Sequence, residues 1–236
     1  MNLVILNENE LAGDGMAVIR DPRRIVHIQT VLKALPGEQI KAGLLNGRIG
    51  AANIVSAAPE KMELTVEFSA EPPPPLPVTL IFALPRPKTY KKVLQAAAAM
   101  GVKKLIVIES WKVDKSYWSS PVLAEEVTRE QLILGLEQGM DTMLPEISFK
   151  RRFKPFVEDE LAAIIKGTLP LLAHPGAAEP CPRNVPGPVT LCLGPEGGFT
   201  DYEVEMLEKH GMHPVNIGVR ILRTEFAVCA LLGKLF

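Results

Sequence analysis

The spacing of apolar residues along the chain changes once, at a run of prolines near position 75. Before that run, short apolar stretches recur at strand length: Leu3–Leu6, Ala17–Ile19, Gln39–Leu44, Ile49–Val55 and Leu64–Phe68. Turn formers separate them, at Gly13-Asp14-Gly15, Pro36-Gly37 and Asn46-Gly47. Asn-Gly between two strand-like runs predicts a hairpin closed by a type I′ turn, in which both central residues take positive φ. One stretch has helical spacing instead, Arg24–Leu35, with Ile25, Ile28, Val31, Leu32 and Leu35 on a common face. Together these residues predict a small β-barrel carrying one helix, over residues 1–70.

Glu71-Pro72-Pro73-Pro74-Pro75-Leu76-Pro77 is a stiff segment that cannot pair into a sheet, and residues 71–77 are expected to link two domains. Beyond it strands alternate with helices. Strands are predicted at Val78–Leu84, Lys104–Ile108, Glu146–Phe149, Leu169–Ala173, Val189–Leu193 and Pro214–Ile217. Helices are predicted at Thr89–Met100, Val122–Gln138 and Pro155–Lys166, then from Thr200, and finally from Thr224. Thr200 is placed to cap its helix, with Glu203 three residues on to close a capping box. Strands spaced by helices of this length imply an α/β domain with a mostly parallel sheet, over residues 78–236.

Composition narrows the class. The 236 residues are 47% hydrophobic and 22% charged, ordinary for a globular chain with two cores. No apolar run reaches the length of a membrane span, and Asn7, Glu8 and Glu10 interrupt any signal peptide, so no membrane partner and a cytoplasmic location are expected. Cys181, Cys192 and Cys229 lack metal-ligand spacing. No metal is expected, and the thiols read as small buried hydrophobes in a reducing compartment, with Cys181 in a Pro-rich loop the one placed for exposure. A net charge of −1 excludes indiscriminate binding to nucleic acid but not a local basic patch. Residues 1–70 hold seven Lys/Arg against eight Asp/Glu, yet Arg20, Arg23, Arg24, His27 and Lys33 gather around the first helix. Arg86, Lys88, Lys91 and Lys92 follow one strand, and Lys150, Arg151, Arg152 and Lys154 follow another. Among them Arg23, Arg24, Arg86, Lys88, Arg151 and Arg152 are the candidates for RNA phosphates, against a solvated surface as the alternative. Trp111, Tyr117 and Trp118 lie in an irregular polar stretch, where aromatic rings either stack on a flipped base or pack the loop down.

The chemistry concentrates at strand ends. Val189–Leu193 runs into Gly194-Pro195-Glu196-Gly197-Gly198, Pro214–Ile217 into Gly218-Val219-Arg220, and Leu169–Ala173 into His174-Pro175-Gly176. Such turns at the carboxyl ends of strands are where α/β sheets bind small molecules. Neither G-x-x-x-x-G-K-[ST] nor a G-x-G-x-x-G followed by a distant acid is present, so the turns are not phosphate cradles. Glycine lets main-chain N–H and C=O groups approach a ligand, and Gly194, Gly197, Gly198 and Gly218 are suited to reading the edge of an adenine.

Gly194-Pro195-Glu196-Gly197-Gly198-Phe199-Thr200-Asp201-Tyr202-Glu203, followed by Ile217-Gly218-Val219-Arg220-Ile221-Leu222-Arg223-Thr224-Glu225, closely resembles the C-terminal signature of the RsmE-type methyltransferases of the SPOUT superfamily. The match is specific over about residues 189–230 and consistent in layout over the whole chain. The resemblance implies a PUA-like barrel followed by a SPOUT domain with a C-terminal trefoil knot, and a homodimer. It implies S-adenosyl-L-methionine as cofactor and N3 of a uridine as target, in the ribosomal RNA of the small ribosomal subunit. Carried over to this chain, the cofactor-binding residues are Leu172, Ala173 and His174, then Leu193, Gly194, Pro195, Glu196, Gly197 and Gly198, then Ile217, Gly218, Ile221, Leu222 and Arg223. Uracil N3 carries a proton at neutral pH, so the reaction needs a base or a cation facing the developing anion. Arg223 and Glu225 are the candidates for those roles. A helix-start carboxylate and a salt-bridge partner are the alternatives for them.

Three segments depart from the family pattern. Ala99-Met100-Gly101 stands where Glu-Leu-Gly is usual, Glu109-Ser110-Trp111 in place of Glu-Arg-Ser, and Glu137-Gln138-Gly139-Met140-Asp141 in place of Glu-Gln-Ser-x-Arg. The changes fall on the substrate side rather than on the cofactor loops. A second reading follows from them, an RNA-binding paralogue that keeps the fold and pocket without catalysis. A nucleotide-binding enzyme of other chemistry ranks last, for want of a phosphate motif.

Overall fold

The structure, a computed structural model, describes residues 2–236. The chain forms two compact units, one reaching to Pro74 and also taking in Ile133–Leu144, the other made of Pro75–Leu132 and Pro145–Phe236. Residues 133–144, expected in the later domain, therefore group with the earlier one.

The first unit is built from β1 (Val4–Leu6), β2 (Leu11–Gly13), β3 (Met16–Ile19), α1 (Pro22–His27), β4 (Gln39–Leu44), β5 (Ile49–Ala57) and β6 (Met62–Ala70). Its six strands form one sheet in the order β1-β4-β5-β6-β3-β2, with β1 and β4 parallel and the other pairs antiparallel. The alternation of apolar and polar residues puts Ile40, Ala42, Ala52, Ile54, Met62 and Leu64 on one face, against Ile25 and Ile28 of the helix. Asp21 caps α1 by accepting from the Arg23 N–H, and Pro22 takes the first turn, where a missing N–H costs nothing. After His27 the helix widens into a π-helical turn, Ile28–Leu32, and stops at Lys33 with φ of 54°. Val31 and Leu35 are consequently exposed, although their spacing placed them on the buried face. The hairpin at Asn46-Gly47 forms, but only Asn46 has positive φ, so the turn is not type I′.

The second unit contains β7 (Val78–Ala83), α2 (Pro87–Ala99), β8 (Lys104–Ile108), the start of α3 (Glu125–Gly139), β9 (Glu146–Lys150), α4 (Phe153–Pro155), α5 (Leu161–Ile165), β10 (Leu169–Ala173), β11 (Val189–Leu193), α6 (Asp201–Lys209), β12 (His213–Val215) and α7 (Thr224–Leu235). Phe153 through Ile165 is one helical run with a π-helical middle, Phe156–Glu160. The sheet is wholly parallel, in the order β12-β10-β11-β7-β8-β9. Helices on the faces of a parallel sheet explain why β7 and β11 read as continuous apolar runs and are buried almost throughout. Tyr90 of α2 is fully buried, and its hydroxyl lies 3.0 Å from Thr128 Oγ1 on α3. Burial pushes the phenol up to about 12, with the Thr128 hydrogen bond opposing. Among the described residues no helix is long and apolar enough to cross a membrane.

Candidate functional site

Strands β10, β11 and β12 are neighbours in the sheet and parallel, so their carboxyl ends open on the same side. Residues of the segments leaving them, at 173–175, 194–199 and 217–223, converge with Thr224, Ala227 and Leu231 of α7 on a cavity of about 290 Å³. Main-chain bonds fix the segments to one another. His174 N–H donates to Val215 C=O at 3.0 Å, and the Asn216 amide donates to Ala177 C=O at 2.8 Å. Gly198 N–H closes its own turn onto Pro195 C=O at 2.8 Å. Lys112 Nζ reaches over from the loop after β8 to donate to the carbonyls of Gly197 and Phe199, at 3.0 and 3.3 Å.

Two glycines are favoured by this geometry for different reasons. A Cβ on Gly194 would lie 3.0 Å from Phe199 N and 3.2 Å from its ring, so a side chain there would force the turn to give by a few tenths of an ångström. Gly218 has φ of +134°, a conformation side chains rarely adopt, and a Cβ there would meet nothing within 4 Å. Close packing therefore explains the first, and only backbone conformation the second.

The cavity brings together Ala173, His174, Leu193, Gly194, Pro195, Glu196, Gly198, Ile217, Gly218, Ile221, Leu222 and Arg223 of the residues named from sequence. Leu172 is buried one position back in β10, and Gly197 lies outside the lining, packed near Lys112. Glu196 is exposed and its carboxylate accepts the Arg86 main-chain N–H at 3.0 Å. Sequence reasoning missed Phe199, Val215, Arg220, Thr224, Ala227 and Leu231. Three of these, at 224, 227 and 231, share one face of α7 by helical spacing, a signal that the sequence carried.

Arg223 and Glu225 sit at the start of α7 in opposite circumstances. Arg223 is the N-cap residue and exposed, with no hydrogen bond or ion pair to its guanidinium among the described residues. Glu225 is 6% exposed; one carboxylate oxygen is 3.3 Å from Lys92 Nζ of α2 and the other has no partner among the described residues. The pairing of Glu225 is thus with Lys92, not with Arg223. A buried carboxylate oxygen without a donor is costly to maintain, and Glu225, unlike Arg223, is not among the residues that line the cavity.

The basic candidates divide. Arg86, Lys88 and Arg152 are exposed, and Arg151, also exposed, lays its guanidinium 5.4 Å from the Trp118 ring centre. Arg23 is partly exposed and forks onto Glu137, at 2.9 and 3.3 Å. Arg24 is a correction: it is buried, held by Glu10 and Asp21 and donating to Ile5 C=O at 2.7 Å. A guanidinium neutralised by two carboxylates inside the core cannot meet a phosphate. Cys181 is buried and Cys229 exposed, the reverse of the expectation for each, because Cys181 N–H pairs with Asn216 C=O and carries its loop inward.

Comparison with known proteins places this geometry. Residues 72–235 match the sequence model of a family described as "RNA methyltransferase domain". The ribosomal RNA small subunit methyltransferase E of Treponema pallidum is 31% identical, over 98% of this chain and 88% of its own. That of Borreliella burgdorferi, numbered 1 of two, is 24% identical over 98% and 95%. Among solved structures, the ribosomal RNA small subunit methyltransferase E of Neisseria gonorrhoeae, bound to S-adenosyl methionine, superposes with a TM-score of 0.74 at 22% identity, covering 98% of this chain and 95% of that one. A putative methyltransferase from Legionella pneumophila, in complex with the same cofactor, also gives 0.74, at 23% identity and the same coverage.

Proposed function

The chain belongs to the RNA methyltransferase family, and from that premise we propose that it transfers a methyl group from S-adenosyl-L-methionine to N3 of a uridine in small-subunit ribosomal RNA. The observation that carries the reading is the convergence of three strand-end segments on one cavity, in a fold shared with cofactor-bound relatives.

The cavity suits the cofactor. Its walls offer main-chain groups at Gly194, Glu196, Gly198 and Gly218 for an adenine edge, and the apolar side chains of Leu193, Ile217, Ile221 and Leu222 for its faces. Open space beside Gly218 is a cradle that a side chain would begin to fill. When bound, S-adenosyl-L-methionine supplies an electrophilic sulfonium methyl that calls for positioning more than activation.

The chain's own residues handle the proton and the charge. Glu225, next to the cavity-lining Thr224, is the candidate acceptor for the N3 proton through its unpartnered oxygen, while Lys92 holds the other. Arg223, free of partners at the cavity wall, faces the negative charge that spreads to the uracil oxygens as the N3–H bond breaks. The exposed Arg86, Lys88, Arg151 and Arg152 meet phosphates, and the first unit serves as the PUA-like RNA-binding domain.

Three finer points belong to the same proposal. The C-terminal part of the second unit forms a trefoil knot, a reading supported by β12 lying on the far side of β10 from β11 and by the bridge from Pro180 to Asn216. The enzyme is a homodimer, supported by apolar Phe226, Val219 and Ile221 standing exposed in a single chain. Its place of action is the cytoplasm, where ribosomal RNA is found.

The test is incubation of labelled cofactor with under-modified small subunits, followed by nucleoside analysis. Wild-type protein is expected to yield N3-methyluridine, and Arg223→Ala to lose about a hundredfold or more in rate. Label on another atom would exclude the N3 assignment. Absence of transfer by the wild-type protein would overturn the proposal.

A further inference from the structure

A second cavity lies in the same unit, beyond the wall of the first. It measures about 600 Å³, and its lining includes Ser110, Trp111, Lys115, Phe153, Lys154 and Tyr202. The Phe153 ring is 6.1 Å from that of Phe199, which lines the first cavity, so the two spaces back onto one aromatic pair.

Two aromatic side chains of this cavity stand in water. Trp111 is 85% exposed and Tyr202 60%, a large apolar area for one spot on a surface. Both are anchored by the same group. Glu203 Oε1 accepts the Trp111 main-chain N–H at 2.7 Å, while its Oε2 holds Thr200 N and Oγ1 in the capping box that starts α6, the helix carrying Tyr202. The backbone under each ring is thereby fixed, and a ligand that stacks on them loses little entropy in ordering them. Buried in the same wall, Ser110 has a hydroxyl with no hydrogen-bond partner among the described residues, an unmet donor and acceptor. Lys115 and Lys154 are exposed at the rim, Lys154 within 3.7 Å of Glu158, while the carboxylates of Glu109 and Glu203 also belong to the lining.

Stacking rings, an unmet hydroxyl and cations around a space of this size are complementary to a nucleotide whose base is not paired. The partition by Phe153 and Phe199 separates this space from the one where transfer takes place. We propose that the cavity is a subsite for an unpaired nucleotide of the RNA beside the one to be methylated, with its base against Trp111 and Tyr202 and its phosphate near Lys115 and Lys154. The subsite rests on the methyltransferase reading for its role, but its occupancy is measured separately.

The measurement is fluorescence anisotropy of a dye-labelled, single-stranded oligoribonucleotide titrated with the full-length protein. Trp111→Ala and Tyr202→Ala are each expected to raise the dissociation constant roughly ten- to hundredfold, and Trp111→Phe to restore most of the loss. Calorimetric affinity for S-adenosyl-L-methionine stays unchanged in all three variants, which reports that they fold. Unlabelled duplex RNA of the same length competes poorly. Wild-type affinity in both alanine variants, or competition by duplex equal to that by single strand, overturns the subsite while leaving the methyltransferase reading in place. Failure of the wild-type protein to bind the cofactor strikes that reading instead, and the RNA titration still judges the subsite.

Discussion

Replacing Glu225 with methionine is expected to stabilise the protein while disabling it. The substitution keeps a similar volume and removes a negative charge that is 6% exposed, with one oxygen unpartnered. A buried charged acceptor left without a donor costs about 1–3 kcal/mol. Against that relief stand two losses. Glu225 lies in the first turn of α7, where a carboxylate gains about 0.3–1 kcal/mol from the helix dipole. Its contact with Lys92 is to a side chain that is 59% exposed, and such pairs contribute about 0–1 kcal/mol. Lys92 returns to water when the pair is broken, so no orphaned buried charge remains. The balance is a gain of about 1 kcal/mol, or roughly 2–4 °C in Tm for a chain of this size. The rate of methyl transfer is expected to fall by about a hundredfold or more, the contribution typical of a positioned base. Thermal unfolding followed by tryptophan fluorescence and the labelled-cofactor assay measure the two effects on one preparation. A variant that melts lower than wild type and methylates at the wild-type rate would refute both the strain and the role assigned to Glu225.

Other consequences follow from single contacts. The raised Tyr90 phenol keeps its proton in the folded state, so its contribution is fully present below about pH 10 and lost as pH rises towards 12, an effect of roughly 2–3 kcal/mol. Denaturant titrations across that range should show a steeper alkaline loss in wild type than in Tyr90→Phe. Glu10→Ala strips the buried Arg24 of one of its two carboxylates and is expected to destabilise the first unit by about 3–5 kcal/mol, read by chemical denaturation. Phe226→Asp places a charge on the exposed side of α7 and should convert a dimer to monomer in analytical ultracentrifugation; a wild-type protein that sediments as a monomer would sink the dimer proposal.

The course of the parallel sheet was legible because its strands are buried on both faces and punctuated by glycine and proline. The limits of β10 and β11 agree residue for residue with the apolar runs that announced them, and the Thr200–Glu203 box forms as its spacing required. Much of the cavity lining was legible too, since it lies in the turns themselves. What sequence did not carry was the fate of charged groups. Arg24 looks like any surface arginine until Glu10, fourteen residues away, closes on it in the folded unit. Glu137 and Lys92 likewise acquire their meaning only from partners distant along the chain. The second cavity was half visible, as Trp111 in a polar loop. Its association with Tyr202 depends on a hydrogen bond spanning 92 positions, from the Trp111 backbone to Glu203, which no local pattern encodes.

The central claim is that segments 173–175, 194–199 and 217–223 form a pocket for S-adenosyl-L-methionine, and titration calorimetry tests it most directly. Saturable binding with one cofactor per chain is expected. Weakening is expected in Gly194→Ala, whose Cβ would press on Phe199, and more strongly in Gly218→Val, where the backbone conformation and the open space are both taken away. No heat of binding with the wild-type protein, or equal affinity in both variants, would contradict the claim.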